Sequence, residues 1–109
     1  MKAKLLNEAE LKTWAVVLDS GDEAAACLLN FAQEHGVTAA SLSAVGGFER
    51  AVLGFFDMQT KQYRQIPVDQ QMEVLSLSGD ITQAGDQTDG KAKVHAHVVV
   101  GLADGSTRG

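Results

Sequence analysis

One stretch of the chain reads Val94-His95-Ala96-His97-Val98-Val99-Val100. Residues i and i+2 of an extended strand project from the same face, so this run sets two imidazoles side by side. Neutral imidazole nitrogen is a good ligand for zinc and other divalent transition metals, and His95 and His97 together would supply part of such a site. The same spacing suits two polar residues on the less buried face of a strand, hydrogen-bonded to backbone or to a neighbouring subunit. The run leads to Asp104-Gly105, a turn signal, and then only to Ser106-Thr107-Arg108-Gly109. A turn with so few residues after it reads as a hairpin without its return strand.

Other chemistry-bearing side chains are sparse. If His95 and His97 held zinc, a carboxylate such as Glu73 could act as a general base, although its ordinary role is that of a surface strand residue. No Ser/His/Asp order, nucleophile elbow or diagnostic carboxylate pair points to a particular reaction, so an enzymatic role is the less favoured reading. Cys27 is the single cysteine, which excludes an intrachain disulfide and a cysteine-rich zinc site; on the apolar stripe of a helix it reads as a small core thiol. Gly46-Gly47 lacks the surroundings of a phosphate loop and reads as a bulge or tight turn.

The elements that must position these residues follow from periodicity. Residues 1–11 are polar and read as an N-terminal arm. Residues 13–18, Thr-Trp-Ala-Val-Val-Leu, read as a largely buried strand. Ser20 with Glu23 forms a capping-box signal, and Asp22 and Glu23 suit the positive end of a helix dipole. Ala24, Cys27, Leu28, Phe31, Ala32 and His35 follow at helical spacing, with His35 at the helix C-terminal end and Gly36 as a left-handed cap. Two strands then join or bend at Gly46-Gly47. A hairpin turns at Gln59-Thr60-Lys61-Gln62, and Pro67 ends its second strand or marks an edge. Residues 73–79 form a half-buried strand that Ile81 continues, residues 84–90 a surface turn, and residues 91–102 the last long strand. One helix near the start followed by a run of strands predicts an α+β fold with a mainly antiparallel sheet.

The chain has 109 residues, 45% of them apolar, and a net charge of -5, enough for one core and unfavourable for a polyanion. Its nine Lys and Arg residues are scattered singly, whereas phosphate-backbone binding usually shows as a basic patch or stripe. Direct DNA binding is therefore disfavoured. Without an apolar run of membrane-spanning length or a signal peptide, the expected setting is cytoplasmic with no membrane partner.

Residues 43–57 (Ser-Ala-Val-Gly-Gly-Phe-Glu-Arg-Ala-Val-Leu-Gly-Phe-Phe-Asp), residues 73–79 (Glu-Val-Leu-Ser-Leu-Ser-Gly), Val94-His95-Ala96-His97-Val98 and Asp104-Gly105-Ser106 together resemble the plants-and-prokaryotes-conserved (PPC) domain. The resemblance covers residues 12–109. It implies an α+β domain that assembles as a homotrimer and serves as a DNA-associated regulatory or interaction module. In land plants the domain is joined to an AT-hook with an Arg-Gly-Arg core, which this sequence lacks. The family also implies a third histidine in a Gly-Gly-His-Leu stretch after the Asp104-Gly105 turn, so the domain is expected to be cut short before that stretch. On this reading His95 and His97 are two metal ligands, for zinc or another divalent transition metal. The alternative is a metal-dependent small-molecule binder or metalloenzyme built on the same pair.

Overall fold

The computed structural model describes residues 1–8, 10–83 and 91–109. Its elements are β1 (Lys2–Asn7), β2 (Thr13–Val17), α1 (Ala24–Glu34), β3 (Ala39–Phe48), β4 (Ala51–Asp57), β5 (Gln62–Val68), β6 (Met72–Gln83), β7 (Ala92–Gly101) and β8 (Thr107–Arg108). The architecture is α+β, mainly antiparallel with one helix, as the periodicity predicts. Strands β1 and β2 pair, β4 and β5 pair, and a four-stranded sheet has the order β3-β6-β7-β8. The surface turn expected at residues 84–90 lies outside the described residues. The chain falls into two compact units, Met1–Ala40 with Ile81–Val94, and Ser41–Asp80 with His95–Gly109.

In the first unit, the segment expected as an arm contains β1, which pairs antiparallel with β2 in a register that sets Lys2 against Val17 and Leu5 against Trp14. Strand β2 is half-buried rather than largely buried: Trp14 and Val16 are partly covered, while Thr13, Ala15 and Val17 are exposed. A two-stranded ribbon covered on one face buries only alternate residues.

The loop into α1 departs from the expected cap. Asp22 N–H donates to Asp19 O at 3.0 Å, and Asp19 N–H donates to the Asp22 carboxylate at 2.9 Å. Gly21, at φ +92, completes this turn. Ser20 is thereby used in the turn, and Glu23 becomes the N-cap, its carboxylate accepting from Ala25 N at 2.8 Å and Ala26 N at 3.2 Å. The Asp19 backbone N–H, followed by the Met1 ammonium 2.9 Å away and the Cys27 side chain, holds the Asp22 carboxyl below the usual range. Cys27 is therefore half-buried beside a carboxylate, not a core thiol.

Phe31 and Ala32 are the buried face of α1. The Phe31 ring meets Trp14 edge-on at 5.3 Å between centroids, and His35 lies 4.5 Å from Trp14 and 4.6 Å from Phe31. His35 is the C-cap residue, and Gly36, at φ +64, takes the left-handed position after it. Val37 N–H then bonds Ala32 O at 2.8 Å, the closure expected of a Schellman ending. His35 thus ends the helix and packs on the two aromatic rings.

In the second unit, β3 runs through Gly46-Gly47 rather than ending there, with Gly46 at φ +157, and the break falls at Glu49-Arg50. A Cβ on Gly47 would meet Met72 O at an ordinary 3.6 Å. Strands β4 and β5 form the expected hairpin, pairing Asp57 with Gln62 and Ala51 with Val68. Its turn is built by Asp57, whose side chain accepts from Gln59 N at 2.8 Å and Thr60 N at 3.2 Å while Lys61, at φ 60, sits in the left-handed region. Pro67 lies within β5, whose one partner among the described residues is β4, so the missing N–H costs no ladder bond on the other side. Leu53 and Val68 face inward and join Met72, Val100 and Leu102 in the core, with Phe48, Ala51, Ile66 and Val98 packed around them.

The end of β7 is fixed by its turn. Leu102 N–H donates to Ser106 O at 2.8 Å and Gly105 N–H to Leu102 O at 2.9 Å. Asp104 accepts from Ser106 N at 2.9 Å and from its hydroxyl at 2.6 Å. A short return strand, β8, is present after all, pairing Arg108 with Val100 and Thr107 with Gly101. The Ser106 hydroxyl, then its N–H, hold the Asp104 carboxyl below the ordinary 3.8.

Two measurements test these assignments. Leu53→Ala should lower unfolding free energy by about 2–4 kcal/mol, while Gln65→Ala on the outer face should change it by less than about 0.5 kcal/mol. Because the Asp104 pKa is depressed by folding, its contribution is present above the unfolded value and lost as pH falls through the folded one. Denaturant titrations between about pH 5 and pH 2 should therefore show a shallower loss of stability in Asp104→Asn than in the wild type.

Candidate metal centre

Strand β7 divides its residues by parity. Val100 is fully buried and Val94 and Val98 partly so, whereas His95, His97 and Val99 are exposed on the other face. Both imidazoles thus stand on one open face, their ring centroids 5.0 Å apart and their planes at 73°. Two imidazoles bound to one tetrahedral zinc, with Zn–N about 2.1 Å, have ring centres about 5 Å apart. The spacing therefore suits a shared ion, and the donor chemistry suits zinc or a similar divalent transition metal.

The structure brings no third ligand to the pair: among the described residues no group of three or more His, Cys, Asp or Glu side chains could hold a metal ion. Glu73 is exposed near the start of β6, whereas the part of β6 against His95 is Gly79, six residues further on. At about 3.3 Å per residue that is ~20 Å of strand, too far for Glu73 to serve a metal-bound reactant at the pair. His35 and Cys27 lie in the other unit and are engaged there by Trp14, Phe31 and Asp22. Two depressions of the surface are lined by other residues, one by Ser43, Val45, Leu75 and Ser78 among its neighbours and one by Gln33, Val37, Thr38 and Gln83.

Sequence reasoning passed over one residue beside the pair. A Cβ built on Gly79 would collide with the His95 carbonyl oxygen and stand 2.7 Å from Ala96 Cα and 2.9 Å from the His95 carbonyl carbon. A lone glycine inside an otherwise alternating strand is the signal for such a backbone approach.

Comparison with known proteins bears on the family and the fold. The chain resembles a plant- and prokaryote-conserved protein of Pyrococcus horikoshii, with a TM-score of 0.77 and 28% identity over 84% of this chain and 61% of that one. It resembles a metal-containing protein of Archaeoglobus fulgidus, with a TM-score of 0.74 and 34% identity over 84% and 61% of the two chains. A candidate DNA-binding protein of Bacteroides thetaiotaomicron matches with a TM-score of 0.68 and 29% identity over 76% and 55%. The chain thus spans about three fifths of the length of the first two of these structures. No curated protein matches it. The profile of the Plants and Prokaryotes Conserved domain matches residues 6–109, and the chain belongs to that family.

Proposed function

We propose that the chain is a non-enzymatic interaction module of the PPC type, cytoplasmic, that associates with itself as a homotrimer, and that its His95–His97 pair binds zinc or another divalent transition metal. The observation that carries the metal reading is the pair itself, two exposed imidazoles on one strand face with 5.0 Å between ring centres. The metal found in the Archaeoglobus fulgidus relative supports it. A bound ion would supply a Lewis-acidic charge with open positions for further donors. His95 and His97 would hold it from β7, whose inward face is anchored by Val100.

Self-association is supported by the resemblance and by apolar side chains that the second unit leaves in water, among them Val45 at 81%, Tyr63 at 64% and Val52 at 63% exposed. The name of the Bacteroides thetaiotaomicron relative favours a DNA-associated setting. With a net charge of -5, that association is better made through a partner than by direct contact with phosphates. The single cysteine suits a reducing compartment.

Protein purified without a histidine tag should take up zinc on titration, and His95→Ala or His97→Ala should weaken uptake by at least roughly tenfold. Absence of metal by elemental analysis together with no uptake on titration would overturn the metal reading. Sedimentation equilibrium should show a trimer at micromolar concentration, and a monomer at every concentration would remove the assembly.

A further inference from the structure

We infer that Gly79 is a positioning residue for the histidine pair: by carrying no Cβ it lets β6 lie against the β7 backbone at His95-Ala96, and that contact sets the direction in which both imidazoles leave the strand. The inference rests on the zinc reading of the pair proposed above. Its basis is steric. A Cβ at Gly79 would meet only backbone, the His95 carbonyl group and Ala96 Cα, and actual contacts of this kind are not shorter than 3.0 Å. At Gly54 and Gly101 the atoms nearest such a carbon belong to the side chains of Tyr63 and Leu75, which can turn aside. Strand backbone cannot, so at Gly79 the contact between β6 and the His95-Ala96 segment must open.

That movement falls between the two candidate ligands. Ala96 is the residue that separates His95 from His97, and the peptide on its N-terminal side carries the His95 carbonyl. Pushing this segment away from β6 rotates the Cα–Cβ bonds of both histidines. A chelating pair tolerates little of this, because donor constellations must be held within about 0.5 Å and 10–20° of their working geometry. Gly79 has no side chain with which to hold a metal; its effect passes through the β7 backbone.

The test compares the full chain with Gly79→Ala and with Gly47→Ala, whose added carbon meets Met72 O at an ordinary 3.6 Å. Two readouts are the imidazole Cε1–Hε1 resonances of His95 and His97 in the absence of metal, and the dissociation constant for zinc ion. Gly79→Ala should shift both imidazole resonances and weaken zinc binding by roughly tenfold or more, and Gly47→Ala should do neither. A folded Gly79→Ala protein with wild-type imidazole resonances and wild-type zinc affinity overturns the inference. Should Gly79→Ala fail to fold, the wild type decides: a strong NOE between Gly79 Hα and Ala96 Hα supports the close approach, and its absence overturns it. A wild type that takes up no zinc refutes the metal reading, while the imidazole resonances still decide the role of Gly79.

Discussion

Strand β7 has to serve two faces at once, and the rest of the second unit is arranged around that requirement. Its even-numbered residues run from the half-buried Val94 to the fully buried Val100, while the odd positions carry His95, His97 and the exposed Val99. Because the side-chain period of a strand is two, a slip of one residue would put both imidazoles into the apolar side and three valines into water. Burying an imidazole among aliphatic side chains without a hydrogen-bond partner is costly, whereas Val98 and Val100 gain by leaving water. The same packing that stabilises the unit therefore sets the facing of the candidate ligands.

That register is held from both ends. Leu53, Val68, Met72 and Leu102 close on Val100, so the β4–β5 hairpin contributes its inward face to the anchoring of β7. Beyond Val100 the Asp104–Ser106 turn ties the chain back, and β8 pairs with the last residues of the strand. Nearer the histidines, the anchor is backbone on backbone, where Gly79 of β6 faces His95 and Ala96. Core packing can relax around a lost methyl group; two main chains in contact have much less freedom to do so.

Much of this was legible in the sequence because it depends on periodicity or on a single residue's conformational freedom. The helix over residues 24–34, the left-handed Gly36, the hairpin before Pro67 and the continuation of β6 to Ile81 all follow from such local signals. What was misread depended on competition between neighbouring signals. Ser20 has the chemistry of an N-cap, but Gly21 draws it into the Asp19–Asp22 turn and leaves the cap to Glu23. Gly46-Gly47 has the composition of a strand junction, yet β3 continues through it to Phe48. Glu73 has the chemistry of a base, but its distance from the pair is a property of strand pairing that local composition does not encode. The pairing of β1 with β2 was hidden for the same reason, since Lys2 and Lys4 make an edge strand read as a polar arm.

The open position of the pair bears on what it can do. Catalysis by a bound metal relies on excluding water and on preorganised groups that meet charge as it develops. His95 and His97 stand on an exposed strand face, with Val99 as the next residue along it. A site of this kind gains strength mainly from whatever covers it, since a covering surface both removes water and brings further donors. That dependence links the two parts of the proposed function. In the proposed homotrimer, side chains such as Val45 and Tyr63, exposed in the single chain, would have a neighbouring copy to pack on, and that copy would also be a source of donors that the described residues do not bring to the histidines. Where a neighbouring copy supplies such a donor, metal binding and self-association reinforce one another by the same free energy in both directions, as thermodynamic linkage requires.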